Sequence, residues 1–183
     1  MTGKKGVILK RLTVGKILLI FLIIYIGFLV LPYVCHKKVP ASYQESFDVS
    51  SFYGSGPGPE RTAYIDNNDD ALLWRLRLIE EAREEIILST FDFKSDEAGK
   101  DIIAALMQAS DRGVQVRVIV DGFNGVLKLT GNKYFKALVS CPGVSIKIYN
   151  PISPFGPWDM QARLHDKYLI IDNSMYMLGG RNT

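Results

Sequence analysis

The chain has 183 residues, 48% of them hydrophobic, 22% charged, with two cysteines. That apolar fraction excludes a disordered chain, and two cysteines exclude a disulfide scaffold. The net charge of +3 is unevenly spread. Residues 1–38 hold seven Lys/Arg and no acid, so they carry +7, whereas 39–183 hold 15 bases and 19 acids and carry −4. The basic character belongs to the N-terminus, which argues against a general binder of phosphate backbones.

In chain order, the first element is the uncharged run from Ile17 to Val34. Eighteen residues at helical rise cover about 27 Å, close to the ~30 Å hydrocarbon core. Gly27 and Pro32 are tolerated in such helices. Five Lys/Arg precede the run and two follow it, which predicts a cytoplasmic N-terminus and an extracytoplasmic remainder. Val39-Pro40-Ala41 resembles a cleavage site, but Lys37 and Lys38 separate it from an apolar run long for a signal peptide. The reading is an uncleaved single-pass signal-anchor in the cell membrane, with Cys35 a free thiol and His36 an interfacial residue. Residues 39–62, rich in Pro, Gly and Ser, read as a flexible linker with a coil-like reach of roughly 25–30 Å.

The folded domain is expected over 63–183. Asn67, Asn68 and Asp69 are cap residues before a helix with Leu72, Leu76, Ile79 and Ala82 at helical spacing. A strand at Ile86–Phe93 follows. Ser95 and Asp96 open a second helix with Ile102, Ile103, Leu106 and Ala109 as its inner face, ended by Gly113. Val114–Val120 reads as a buried strand closed by Asp121-Gly122, with Asp121 a turn former. A helix near Lys133–Val139 follows, ending near Cys141. After it come a strand at Val144–Tyr149 and a Pro/Gly-rich loop from Asn150 to Arg163. Two last strands, Lys167–Ile171 and Met175–Leu178, are joined by Asp172-Asn173-Ser174. Alternating strands and helices argue for a layered α/β domain.

Metal chemistry is disfavoured. His36 and His165 are the two histidines, and Asp66, Asp69 and Asp70 fit a helix start better than a calcium loop. No GxxxxGK[ST], GxGxxG or GxSxG is present. One dense constellation remains: His165, Lys167 and Asp172, then Gly179, Gly180 and Asn182. On a strand, His165 and Lys167 point to one face. Glycines let backbone approach a ligand, and a cation, an amide and a nitrogen nucleophile suit a phosphate oxyanion.

These positions match H-x-K-x4-D-x6-G-[GS]-x-N, six defined residues across eighteen. They resemble the phospholipase D superfamily, as does the upstream stretch DEAGKDIIAALMQASDRGVQVRVIVDG. The resemblance covers about Ala63–Thr183, and with the N-terminal anchor it looks most like the bacterial cardiolipin synthase branch, whose members commonly carry two membrane helices. It implies an α/β fold, layered α-β-α, with this chain as an N-terminal half. It also implies a phosphohistidine intermediate without metal or cofactor. His165 is then nucleophile or acid/base, Lys167, Asn182 and Gly180 bind phosphate, and Asp172 is a supporting, orienting residue. The expected partners are a phospholipid substrate and the membrane rather than nucleic acid. In such sites a second motif provides a second histidine, and here one motif is present. The second half-site is expected from a missing C-terminal half, the favoured reading, or from a second chain. The alternatives are a single-motif nuclease working as a homodimer and an inactive membrane-tethered scaffold. Phe155, Trp158 and Met160 are read equally as a lipid entrance or a packed lid.

Overall fold

In the computed structural model, residues 2–35, 38–54, 56 and 58–182 are described. Met1, His36, Lys37, Ser55, Pro57 and Thr183 fall outside them, so the interfacial reading of His36 lies outside the described residues. The chain divides into two compact units, residues 1–64 and 65–183.

The first unit is built on α1 (Thr2–Val34), with a short α2 (Ala41–Ser46) and a 3-10 turn (Val49–Phe52). Within α1, Thr13–Val34 is a 22-residue stretch containing an 18-residue window of mean hydropathy 2.8, none of that window buried in the chain's own structure. At 1.5 Å per residue it is about 33 Å long, enough by length and composition to cross a bilayer. Pro32 lies within the last turn of α1, so it interrupts the helix only near its end.

The second unit begins with α3 (Asn68–Glu81). Its N-cap is Asn67, whose side-chain oxygen accepts the Asp69 and Asp70 N–H groups at 2.7 and 3.3 Å. Then come β1 (Glu85–Thr90), α4 (Glu97–Asp111) and β2 (Gln115–Asp121). Asp96 caps α4 through the Gly99 N–H at 3.0 Å, and Gly113, at φ +90°, ends it. After β2 the chain makes one helical turn, α5 (Gly122–Asn124), and a π-helical turn (Gly125–Leu129). Neither is apparent in the sequence pattern. Next are α6 (Lys133–Ser140), β3 (Val144–Tyr149), β4 (Tyr168–Ile171) and β5 (Met175–Leu178). β4 starts one residue later than expected, so His165 and Lys167 both precede it.

The five strands form one mixed sheet in the order β3-β2-β1-β4-β5. β1, β2 and β3 are parallel, joined by crossovers through α4 and α6, while β4 runs antiparallel to β1 and β5 antiparallel to β4. α3, α4 and α6 pack on one face, over Ile86, Leu88, Val116, Val118, Leu169 and Ile171. This explains the burial alternation along β2, where Val116 and Val118 are buried and Arg117 is exposed. The strand is covered on one side, not on both as its apolar run suggests. The opposite face presents Ile87, Ile119, Tyr168, Ile170 and Tyr176. The domain is therefore α/β, and among the described residues no helix covers that second face.

The β4–β5 connection is the three-residue turn Asp172–Ser174. Asp172 and Asn173 sit at φ +50° and +51°, and the Ser174 N–H closes on the Ile171 carbonyl at 3.0 Å. Left-handed residues of this kind match the twist of a tight hairpin.

Candidate active site

Because β4 is antiparallel to β1, its first residues lie at the edge where β1 and β2 end. β5 ends at the same edge, its Gly179 N–H bonded to the Lys167 carbonyl at 3.2 Å. His165, Lys167 and the Gly179–Asn182 segment thus meet there, together with Phe91, Asp92 and Asp121 from the ends of β1 and β2. In open α/β sheets this carboxyl edge is where ligands bind.

Phe91 organises the pair. The His165 ring meets it edge-on, with centroids 5.2 Å apart and planes at 62°. The Lys167 ammonium stands 5.7 Å from the centre of the same ring and donates to the His165 carbonyl at 2.8 Å. A cation over an aromatic face is favourably placed. His165 and Lys167 are therefore together as expected, but a shared aromatic neighbour holds them rather than strand alternation alone. His165 is exposed and Lys167 half-buried, which leaves the imidazole open to solvent.

Asp121 fixes the approach to His165. Its carboxylate is fully buried and accepts the Phe123 N–H and the Leu164 N–H, each at 2.9 Å. Arg163 lies 3.5 Å away and also donates to the Asn150 carbonyl at 2.8 Å. A buried carboxylate without such partners is strongly unfavourable. The Phe123 bond is the expected turn-forming one. The bond to Leu164, 43 positions away, has no signal in the sequence. Asn150 adds a second clamp, donating to the Asp159 and Ala162 carbonyls at 2.6 and 3.0 Å.

Asp92, also unnoticed in the sequence, is nearly buried beside Phe91. The Lys128 ammonium reaches both its oxygens at 2.6 Å, and Lys94 lies at 3.7 Å. Asn124 donates to the Phe91 carbonyl at 3.1 Å, tying the turn after β2 to the site.

The motif's exit is held from the helix side. Arg181 donates to Asn68 Oδ1 at 2.6 Å, to the Ile65 carbonyl at 3.2 Å and to the Asp66 carbonyl. Arg75 donates to the Arg181 carbonyl at 3.1 Å, and burial, with the Arg181 charge, pushes its pKa down. Asn182 follows and is exposed. Gly179 and Gly180 are not in the left-handed region, and a Cβ on either would meet no atom within 4 Å. The fold itself does not demand glycine at these two positions.

Asp172, read from the sequence as a supporting residue, stands apart from the His165–Lys167 cluster. It lies at the opposite end of β4, about 23 Å along the chain from His165 at strand rise. Its carboxylate accepts the Arg83, Glu84 and Glu85 N–H groups, each at 2.9 Å. Desolvation raises its pKa, but the Glu85, Glu84 and Arg83 amides and the Arg83 charge outweigh it and hold the group below the ordinary carboxylate range. Asp172 anchors the hairpin to the α3–β1 junction and does not touch the His165–Lys167 cluster. Among the described residues no three His, Cys, Asp or Glu side chains gather as a metal site.

Residues 76–183 match the family described as cardiolipin synthase, PLD-like domain. The chain is 31% identical over 140 residues to cardiolipin synthase 1 of Bacillus cereus, covering 74% of this chain and 26% of the relative. It is 36% identical over 120 residues to cardiolipin synthase B of Escherichia coli, covering 64% and 28%. Among solved structures it is similar to NucT from Helicobacter pylori, at 22% identity and a TM-score of 0.49, covering 62% of this chain and 67% of that one. The chain spans about a quarter of the length of the curated relatives it matches. It belongs to the phospholipase D superfamily, within the family of cardiolipin synthase-type PLD-like domains.

Proposed function

We propose that this chain carries one half-site of a membrane-anchored phospholipase D-type enzyme acting on phospholipid phosphodiesters, by hydrolysis or phosphatidyl transfer. The observation that supports it best is the pairing of an exposed imidazole with an ammonium on one aromatic ring. Beside them runs a Gly-Gly backbone whose glycines the fold does not require. A ring nitrogen of neutral His165 attacks phosphorus and forms a P–N bond. The P–O bond to the leaving alcohol breaks, and a second histidine, from the other half-site, delivers its proton. That histidine then takes a proton from water or an acceptor alcohol, whose oxygen displaces His165 and releases the product. Lys167 and Asn182 hold the phosphoryl oxygens, where fixed donors stabilise developing charge. Lysine fits as a compact charge without bidentate geometry. Asp172 acts by anchoring the hairpin that carries His165. The other half-site comes from a second copy of the motif, in a continuation of the chain or in a second chain. The apolar stretch Thr13–Val34 anchors the enzyme, its N-terminus cytoplasmic and its domain extracytoplasmic.

The test uses the full-length protein with phospholipid labelled at phosphorus. Alkali-stable, acid-labile label on the protein and release of head group are both expected, and both are lost in His165→Ala. Lys167→Ala is expected to remove about 2–4 kcal/mol of transition-state stabilisation. Undiminished head-group release in His165→Ala refutes the assignment.

A further inference from the structure

The edge that carries His165 also carries large apolar side chains turned to solvent. Phe155 is 89% exposed, Leu127 65%, Phe123 49% and Trp158 48%. They belong to two neighbouring segments, the helical turns after β2 and the loop after β3. The segments touch: Gly122 packs against the Asn150 and Tyr149 carbonyls, and Gly125 against the Ile148 side chain. Asn124, beside Phe123, is bonded to Phe91, and Phe91 is in contact with His165. Asn150 also donates to the Asp159 carbonyl, next to Trp158, so the two segments that carry these side chains meet beside the candidate site. Phe155 is too exposed for the closed lid that the sequence equally allowed.

We infer that Phe123, Leu127, Phe155 and Trp158 form an interfacial docking surface that inserts into the head-group and upper acyl region of a bilayer. Clustered exposed apolar groups mark interaction surfaces, and Trp and Phe suit the boundary between water and hydrocarbon. Three features favour lipid over a protein partner. The groups sit on two adjoining loop segments around an open imidazole, so a protein seated on them would close off His165, whereas a bilayer presents phosphodiesters there. The same chain carries a helix long and apolar enough to cross a membrane. The acids next to these segments are paired, Asp92 with Lys128 at 2.6 Å and Asp121 with Arg163 at 3.5 Å. Insertion is then driven by apolar contact and is insensitive to salt. The inference deepens the proposed function, since it says how the site reaches its lipid.

The test reconstitutes the full chain in phosphatidylcholine–phosphatidylglycerol vesicles with or without brominated acyl chains. Two single-tryptophan variants are compared: Trp74→Phe reports on Trp158, and Trp158→Phe reports on Trp74 on α3. Trp158 is expected to shift to the blue and lose intensity with brominated lipid, at low and high salt, while Trp74 does neither. Adding Leu127→Ser and Phe155→Ser to Trp74→Phe is expected to reduce the lipid quenching with an unchanged circular dichroism spectrum. Quenching of Trp158 by aqueous iodide but not by brominated lipid overturns the inference. Shielding of Trp158 from both quenchers also overturns it, in favour of a protein cover such as a second copy. If the triple variant does not fold, the contrast between Trp158 and Trp74 alone decides. Turnover is not read, so absence of phosphodiester cleavage would count against the proposed function and leave this result standing.

Discussion

Replacing Asp172 separates anchoring from chemistry. Its carboxylate accepts three backbone N–H groups at 2.9 Å, from Arg83, Glu84 and Glu85. The Glu85 amide is part-buried and loses its partner outright in Asp172→Ala, at about 1.5–3 kcal/mol for a bond to a charged group. The other two amides are exposed and recover water, losing ~0.5 kcal/mol each. Alanine at φ +50° adds ~1 kcal/mol of left-handed strain. The expected loss is about 3–5 kcal/mol for Asp172→Ala. Asp172→Asn keeps one acceptor oxygen and tolerates the backbone angle, so it loses ~1–2 kcal/mol. Urea unfolding of the detergent-solubilised chain, followed by fluorescence and circular dichroism, measures both. The pH dependence carries a sign. The folded-state pKa of Asp172 is depressed, so its stabilisation is complete above the unfolded value near ~3.9 and is lost as pH falls through the folded value. The gap between the parent and Asp172→Asn should therefore close in strong acid. A gap that persists unchanged at pH 2, or a parental midpoint for Asp172→Ala, refutes the anchoring role.

Two further substitutions probe the loop before His165. A methyl group in Gly122→Ala would overlap the Asn150 and Tyr149 carbonyl oxygens, backbone atoms that cannot rotate aside. A loss of about 1–3 kcal/mol is expected, and an unchanged urea midpoint would show that the two segments are not in contact. Asp121→Asn turns an amide NH2 toward groups that are themselves donors, leaving a buried mismatch of about 1–3 kcal/mol. Head-group release should fall in a domain that still folds, and full activity would remove Asp121 from the positioning of His165.

What the sequence makes legible is local. The periodicity of Ile102, Ile103, Leu106 and Ala109 places α4, and the caps Asn67 and Asp96 mark helix starts because the N–H groups they accept lie within three residues. The alternation in Val144–Tyr149 and the run Met175–Leu178 locate two strands. The His165–Asn182 motif is legible as a linear pattern, but its folded meaning is not. Asp172 stands five positions from Lys167, yet β4 carries it to the far edge of the sheet. Phe91 and Asp121 meet the motif across 74 and 43 positions, and no local spacing encodes such contacts. The π-helical turn is equally silent, since Gly125 and Thr130 suggest loop and its form depends on packing against Ile148. The one-sided cover of β2 is hidden because its apolar run reads alike for one covered face or two.

The hairpin of β4 and β5 works as a ruler. One end is lashed to the start of β1 and the other carries the imidazole, so the four residues between Lys167 and Asp172 set a length and a rotation at once. Adding or removing one of them would turn every later side chain through half a revolution. Leu169 and Ile171 would leave the core whenever His165 kept its aim. The count in that stretch is a mechanical dimension of the domain, and it tolerates exchange of its apolar members far more readily than a change in their number.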